Sequence, residues 1–526
     1  MDQARGPEIV RNLTLKPLQA FQQPQLKSHR LGYVQMRCWI FVCVGCALGA
    51  VLVSVGARID GGAVAVLSFA PLFWSLDRRY FSELYIGPFI MMYSLHLLGY
   101  AVSPLWEIHV IGKLSAIEEG LAPAQWGGAL GLAIIAAVFP PVFQQIVRRR
   151  RVRASDLSFG RNGSSWKTYS MLSLLVGVTV TGYGYLSGTS NRLNGDANAS
   201  TASASFVSAF SSVLLVTFYF LAYFAARSRS SFWRLLWLLV LSGFATLYTL
   251  DGGRGIVVMA VLVSLTGLVS GGYSRRKATL ALLAGLVVFV PLAGVVVIYR
   301  SSATLNATTL SGRLSGLRSA LEEFTETRAS VAQSTEAAAL ALTAMNVDGV
   351  FLKVPSVIPY SGLEGIGSVW HYLTPKLFRS NSDTPVLLDG NALAIEYGTN
   401  LPSNSTGSYM PTVGDGYRRF GWPGVAGLYI LLSASYACAF ALCWRNRNRC
   451  DFMAMFVFLL IQANGIWSQT LYSAIYTFAW FIPRSFFIFW VFGLLVRMRH
   501  RKAAAAISLT AQTSQCRPFI RTQGAD

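Results

Sequence analysis

The chain of 526 residues is 53% hydrophobic and only 13% charged, and its mean hydropathy is +0.47. Soluble globular proteins carry about 25% charged residues, so this composition excludes an ordinary soluble domain and indicates a lipid bilayer as the main solvent. The formal charge is +21, from 44 Lys and Arg against 23 Asp and Glu. Such an excess suggests nucleic-acid binding in a soluble protein, but in a membrane protein it also arises from topology alone.

A helix that crosses the hydrocarbon core needs about 20 mostly apolar residues. On this rule the sequence predicts an all-α polytopic membrane protein with about twelve transmembrane helices. The predicted spans are 38–57, 61–76, 84–103, 126–147, 168–187, 204–226, 233–250, 255–271, 279–299, 424–444, 452–470 and 477–496. The predicted organisation is an N-terminal tail (1–37), nine spans (38–299), a large outer loop (300–423), three spans (424–496) and a basic C-terminal tail (497–526).

The charges of the connecting loops predict the side of the membrane that each loop faces. With a cytoplasmic N-terminus, 30 of the Lys and Arg lie on the cytoplasmic side and 13 on the outer side, nine of these in the long loop. Basic residues accumulate in short cytoplasmic loops. We therefore predict a bacterial inner-membrane protein with both termini in the cytoplasm and a periplasmic loop over 300–423, and no nucleic-acid partner.

Two parts of the predicted periplasmic loop differ in character. Residues 314–345 are rich in Ala, Leu and Glu, which predicts one or two surface helices. From Val354 to Pro423, prolines, glycines and aromatic residues follow no helical or strand period. This second part is predicted to be irregular and packed on the membrane domain.

Common catalytic and metal-binding motifs are missing from the sequence. It has no Asp-x-Asp pair, no GxxxxGKS/T phosphate loop, no HExxH helix, no GxSxG elbow and no paired CxxC. We therefore expect no metal and no cofactor. An enzyme built on this chain would use isolated carboxylates and cations that the fold brings together.

Four arginines at the predicted outer ends of spans are the most informative residues. Arg254 lies in the turn LDGGRG, Arg300 ends the ninth span, and Arg418 and Arg419 lie in GDGYRRFGWPG before the tenth. Cations are selected against in short outer loops, so arginines at these positions need a reason. A guanidinium presents a planar fork of donors that suits phosphate oxygens, and nearby glycines let the backbone approach a ligand closely.

Structural roles compete with ligand binding at these arginines. Asp251 is placed to pair with Arg254, and Asp415 to pair with Arg418. The aromatic residues of YRRFGW suit an interfacial belt, with the arginines on lipid phosphates. Both kinds of role stay open from the sequence.

Rings in the long loop are candidates for contact with sugars. Tyr417, Trp370 and Tyr372 offer faces that could stack on carbohydrate, and His371 could act as a base. Packing is the commoner role for such rings, and a structural histidine is commoner than a catalytic one.

Arg484, in FIPRSFF, lies within the last predicted span. A cation at mid-membrane costs about 2.5–3.5 kcal/mol on insertion scales. Pro483 predicts a helix break whose freed carbonyls, or a water-filled cavity, would accept the guanidinium. A functional and a structural role are both open.

Taken together, these features resemble a known family. A many-span protein with the turn LDGGRG, one dominant outer loop and the element GD-x-Y-x-x-FG-x-x-G before the next span is similar to the Wzy-type O-antigen and exopolysaccharide repeat-unit polymerases. The similarity runs from about residue 245 to 430. It implies a membrane-embedded glycosyltransferase-like fold that acts on undecaprenyl-pyrophosphate-linked glycans, with membrane lipids and a chain-length regulator protein as candidate partners.

The resemblance also implies roles for individual residues. It matches the family's pyrophosphate-binding arginines to Arg254, Arg300, Arg418 and Arg419. At Arg300 the match is loose, because the family's R-x10-G spacing meets Ser311 in place of glycine. The reaction also needs a base for the acceptor hydroxyl, and the candidates in order are Asp415, His371 and Asp251.

Two other functions stay open. An O-antigen ligase shares the architecture and the outer arginines but transfers polymer to lipid A–core. A twelve-span transporter or lipid-oligosaccharide flippase would perform no chemistry. The inner loop SLDRRYF lies where major-facilitator carriers keep an Asp-Arg motif but lacks that motif's glycines. Such carriers also place their long loop inside the cell after six spans.

Overall fold

The structure is a computed structural model that describes residues 36–56, 58–73, 75, 114–148, 163–186, 202–228, 230–250, 254–282, 284, 295, 299, 310–327, 349–366, 410–463 and 465–515. Within these residues every regular element is a helix. The predicted all-α class is therefore confirmed for the described part of the chain.

The principal helices follow one another in chain order. They are α1 (Met36–Ser54), α2 (Arg58–Leu67), α3 (Leu114–Arg148), α4 (Gly163–Leu186), α5 (Ala202–Arg227), α6 (Ser231–Leu250), α7 (Arg254–Ser270), α8 (Leu310–Thr327), α9 (Thr412–Arg445), α10 (Cys450–Gln462), α11 (Gly465–Ser468), α12 (Leu471–Tyr476) and α13 (Ile482–Gln515). A π-helix, Thr477–Phe481, joins α12 to α13 without a break.

Within the described residues, six helical stretches are long and apolar enough to cross a membrane. They are Met36–Ser54, Gln125–Val147, Ser231–Leu250, Thr412–Arg445, Cys450–Trp467 and Leu471–Arg499, and each overlaps a predicted span. Shorter apolar helices at Val64–Phe73, Ser212–Arg227 and Ile256–Ser270 fall on the second, sixth and eighth predicted spans. The predicted span 84–103 and most of 279–299 lie outside the described residues. The described part is thus an α-helical polytopic membrane protein.

Two fully buried aspartates mark the opposite ends of the helix bundle. Asp415, near the start of α9, accepts a hydrogen bond from the backbone N–H of Leu471 at the start of α12. Asp451, in α10, pairs with Arg497 of α13. Because α12, the π-helix and α13 run continuously from residue 471 to 497, these two positions lie roughly 40 Å apart along the helix axis. We refer to the Asp415 end and the Asp451 end of the bundle.

Close helix packing brings α3 against α9, whose Asp415 end carries the candidate site. Gly127 of α3 packs on Val413, and Gly131 packs on the ring of Tyr429, where a Cβ atom would overlap the ring. Small residues at helix interfaces allow backbones to approach closely in membranes, where van der Waals packing replaces the hydrophobic drive between helices. The start of α9 is therefore held rigidly by α3.

The Asp451 end is basic and tightly paired. Asp451 accepts hydrogen bonds from Arg449 Nη2 at 2.6 Å and from Arg497 Nη1 at 3.0 Å. The indole of Trp166, in α4, donates to the backbone carbonyl of Asn448 at 3.3 Å. These contacts fix the first turns of α4 and α10 and the later turns of α13 to one another.

The predicted loop structure is correct in part and wrong at its end. α8 confirms a surface helix within 314–345, although it begins earlier, at Leu310. The prediction of irregular structure up to Pro423 is wrong for residues 412–423, because α9 begins at Thr412 and includes the whole element GDGYRRFGWPG. The glycines and proline in this element mask its helical character in the sequence.

Candidate functional site

The site is built on a sharp kink near the start of α9. Phe420 (φ −144°, ψ 20°) and Gly421 (φ 65°, ψ −151°) depart from helical geometry, so residues 412–419 form a short helical piece that folds beside the longer piece. A positive φ with this ψ is accessible essentially to glycine alone. At the fold, a Cβ atom on Gly416 would overlap the backbone of Val425, and a Cβ atom on Gly424 would overlap the backbone of Gly416. These glycines therefore allow the backbones of the two helical pieces to touch at the kink.

This geometry yields a first prediction, on Gly421. Gly421→Ala forces a Cβ atom onto a left-handed backbone and within 3.1 Å of the hydroxyl of Tyr360. We expect a cost of about 1–3 kcal/mol and a lower melting temperature of the purified protein. The matched control is Gly427→Ala in the same helix, where the new Cβ meets no atom within 4 Å. Equal melting temperatures for the two variants would contradict the argument.

Asp415 is the centre of a buried ion cluster. Its Oδ1 accepts from Arg418 Nε at 2.7 Å, and its Oδ2 accepts from Arg419 Nε at 3.0 Å. Oδ2 also accepts from the backbone N–H of Leu471 at 2.7 Å. The carboxylate is fully buried and each arginine is only 2% exposed. The pairing of Asp415 with Arg418, which the sequence left open, is confirmed.

A strap formed by residues 361–364 closes the cluster from the side. Arg418 Nη1 donates to Ser361 Oγ at 3.2 Å, and Arg419 Nη1 donates to the carbonyls of Gly362 and Glu364 at 2.9 and 3.0 Å. The kink leaves the carbonyls of residues 418 and 419 without the usual helical partners, as at any helix end. They accept instead from the N–H groups of Ser361 and Gly362, at 3.0 and 3.1 Å.

A second polar link joins the start of α9 to the segment between α11 and α12. Thr412 Oγ1 donates to the carbonyl of Gln469 at 3.0 Å and accepts from the N–H of Gln469 at 3.2 Å. Gln469 Nε2 in turn donates to Thr477 Oγ1 at 3.1 Å. This link places Leu471 where its N–H reaches Asp415. Nothing in the sequence marks Ser361, Thr412 or Leu471 as part of the site. The polar Gln469, in an otherwise apolar stretch, is the one sequence signal of this contact.

Aromatic residues cover the outer side of the kink. The ring of Tyr417 stacks on that of Phe351, with centroids 3.9 Å apart and an interplanar angle of 27°. Trp422 lies against both rings, at 5.7 Å from Tyr417 and 5.5 Å from Phe351. One face of Tyr417, predicted to stack on sugar, is therefore occupied by Phe351. Trp422 and Phe420 are 42% and 49% exposed, as suits residues at a membrane interface.

The side chains of the other predicted site residues lie outside the described part of the structure. α7 begins at Arg254, whose side chain lies outside the described atoms, and Asp251 and Arg300 lie outside the described residues. Yet the hydroxyl of Tyr299 donates to the carbonyl of Leu250 at 3.0 Å. The chain just before residue 251 therefore meets the chain just before residue 300. Trp370, His371 and Tyr372 lie outside the described residues.

Arg484 lies in a continuous helix rather than at a break. The predicted break at Pro483 is wrong, because the chain passes from the π-helix directly into α13. The π-helical turn absorbs the disturbance that a proline introduces into an α-helix. The Arg484 guanidinium carbon lies 5.1 Å from the centroid of the Phe481 ring, and its buried Nε has no hydrogen-bond partner among the described residues.

The electrostatics of the Asp415 cluster favour an anion. Two buried guanidiniums share one carboxylate, so the cluster carries one net positive charge in an almost fully buried site. Glu364 contributes its backbone carbonyl to the cluster, and the residue is exposed. Among the hydrogen bonds between described residues, none uses Nη2 of Arg418 or Arg419. In the part of the chain that the structure describes, no three His, Cys, Asp or Glu side chains gather into a group that could hold a metal ion.

Comparisons of the chain with protein-family models, with curated proteins and with solved structures gave no match.

Proposed function

We propose that the protein polymerises undecaprenyl-pyrophosphate-linked oligosaccharide repeat units at the periplasmic face of the bacterial inner membrane. The observation that supports this most strongly is the Asp415 cluster, in which Arg418 and Arg419 are buried, oriented and in excess over their single carboxylate. Such a cluster is suited to a phosphate-bearing ligand at the end of the helix bundle.

The reaction transfers a growing glycan from its lipid pyrophosphate to a hydroxyl of a new lipid-linked repeat. As the anomeric C–O bond breaks, negative charge accumulates on the departing pyrophosphate. A cation about 4 Å away, in an effective dielectric near 20, contributes roughly 4 kcal/mol for each pair of unit charges before desolvation. Prearranged arginines thus supply the electrostatic stabilisation that a metal ion supplies in other transferases.

The geometry favours a positioning role for Asp415 over the role of base. Both oxygens of this carboxylate already accept hydrogen bonds, from two arginines and one backbone N–H, so they are engaged in holding the cluster together. In our proposal Asp415 orients Arg418 and Arg419, and proton acceptance passes to His371 or Asp251. In the same proposal Arg254 and Arg300 also bind the pyrophosphate, and the hydrogen bond from Tyr299 to Leu250 brings the chain segments just before them together.

Deletion of the gene in its own bacterium tests the proposal. The surface glycan is separated on a gel, and the carrier-linked glycans are analysed in parallel. We expect single capped repeats on the cell surface, restored to a ladder by the wild-type gene on a plasmid. Polymer stranded on its carrier lipid would overturn the proposal in favour of a ligase, and single units trapped on the cytoplasmic side would overturn it in favour of a flippase.

A further inference from the structure

A groove opens between α4 and α13 near the Asp451 end, away from the Asp415 cluster. Its volume is about 530 Å³. The lining residues are Lys167, Thr168, Met171, Leu172 and Leu175 of α4, and Leu495, Val496 and Arg499 of α13. The spacing of these positions places them on one stripe of each helix. Among the described residues, no acidic one lines the groove.

Charge and apolar surface are separated along the groove. Lys167 lies one turn into α4 and Arg499 four residues beyond Leu495, so both cations lie toward the same end of the groove. The opposite part is apolar, and Leu175 and Leu495 are 67% and 48% exposed. From Lys167 to Leu175 the helix rises about 12 Å. The groove thus combines a cationic mouth with an apolar channel that runs along the bundle.

The surroundings increase the positive charge at this mouth. Arg497, which directly follows the apolar part of α13, pairs with Asp451. Asp451 is also paired with Arg449, so that cluster carries one net positive charge. Trp166, next to Lys167, is anchored to Asn448 and packs on Tyr223 at 5.4 Å. The wall of the groove is therefore rigid, and its charge is not cancelled by the neighbouring aspartate.

We propose that this groove is a binding site for an anionic phospholipid. Its phosphate contacts Lys167 and Arg499, and one acyl chain lies along Met171, Leu172 and Leu175. Basic pockets between transmembrane helices at a membrane surface bind anionic headgroups in this way. The site is independent of the Asp415 cluster and does not depend on the proposed polymerase activity.

Native mass spectrometry of the full-length protein, purified and stripped of lipid, tests this site. The probes are dioleoyl phosphatidylglycerol and dioleoyl phosphatidylcholine, which share acyl chains and differ in net charge. A cation near the surface contributes roughly fivefold in affinity, so two predict a preference of about 25-fold for phosphatidylglycerol. The double variant Lys167→Gln/Arg499→Gln should lose most of that preference.

Matched variants distinguish lipid binding in this groove from a general attraction of the lipid to the positive charge of the protein. Arg276→Gln/Lys277→Gln removes two exposed cations outside the groove and should keep the wild-type preference. Met171→Trp fills the groove, leaves both cations in place and should weaken binding of both lipids. Glycerol phosphate, which has no acyl chains, should not compete at equal concentration. A wild-type protein without preference, equal losses in the two double variants, or full competition by glycerol phosphate would overturn the proposal.

Discussion

Arg418→Ala is expected to abolish glycan elongation while the protein still accumulates in the membrane. After this change Asp415 keeps Arg419 and the N–H of Leu471, so the carboxylate stays neutralised and the kink of α9 stays supported. What is lost is the net positive charge of the cluster. Loss of roughly 4 kcal/mol from one charge pair slows the reaction about a thousandfold. The measurement is the glycan ladder of a deletion strain that carries the variant.

The matched control is Arg318→Ala. Arg318 lies on α8, and its side chain is 82% exposed and pairs at 3.0 Å with Glu322, which is 61% exposed. The substitution removes one cation from the same predicted loop and leaves the Asp415 cluster intact. Surface ion pairs of this kind contribute little to stability. Polymer should therefore remain at wild-type length. A full ladder from Arg418→Ala would refute the role assigned to Arg418.

Asp415→Asn is expected to have the opposite signature, a large loss of stability. The change leaves two buried guanidiniums without a counter-ion, and the new amide N–H groups face donors. Removing one partner of a buried ion pair costs about 3–5 kcal/mol. The measurement is the fraction of purified protein that stays monodisperse after a series of heating steps, because membrane proteins often unfold irreversibly.

Asp451→Asn provides the comparison for Asp415→Asn. Both aspartates are fully buried and each binds two arginines, but Arg449 and Arg497 are 43% and 33% exposed at their side chains, whereas Arg418 and Arg419 are 2% exposed. Water therefore screens the unpaired cations at the Asp451 end. We expect Asp451→Asn to lower the temperature at which half of the protein stays monodisperse much less than Asp415→Asn does. An equal or larger decrease would contradict this account.

The helical class and the main spans were accessible from the sequence because they depend on composition within about 20 consecutive residues. The start of α9 was not accessible in this way. Its first turns contain three glycines, and Gly421 breaks the helical geometry, so the local pattern resembles a loop. The helix at 412–419 depends on tertiary contacts with α3 and with Gln469, which a local pattern does not contain.

In the candidate site, too, only contacts between residues close together in the sequence were predictable. Asp415 and Arg418 are three residues apart, and this spacing already suggested their pairing within one helical turn. Ser361 and Leu471 lie 57 and 56 residues from the atoms they bind, and nothing in their sequence surroundings marks them. The continuity of the helix through Pro483 was also hidden, because the π-helical turn that accommodates the proline has no sequence signature of its own.

The strap over α9 has a consequence for how the arginines become available. Ser361 and Gly362 bind residues 418 and 419 through both main-chain and guanidinium hydrogen bonds, so these bonds form as one set. Movement of the strap away from α9 would free the carbonyls of residues 418 and 419 and the Nη1 atoms of both arginines together. Arg419 Nη1 already donates its two hydrogens, one to each of the carbonyls of Gly362 and Glu364. This nitrogen can therefore bind an anion only after these two bonds open.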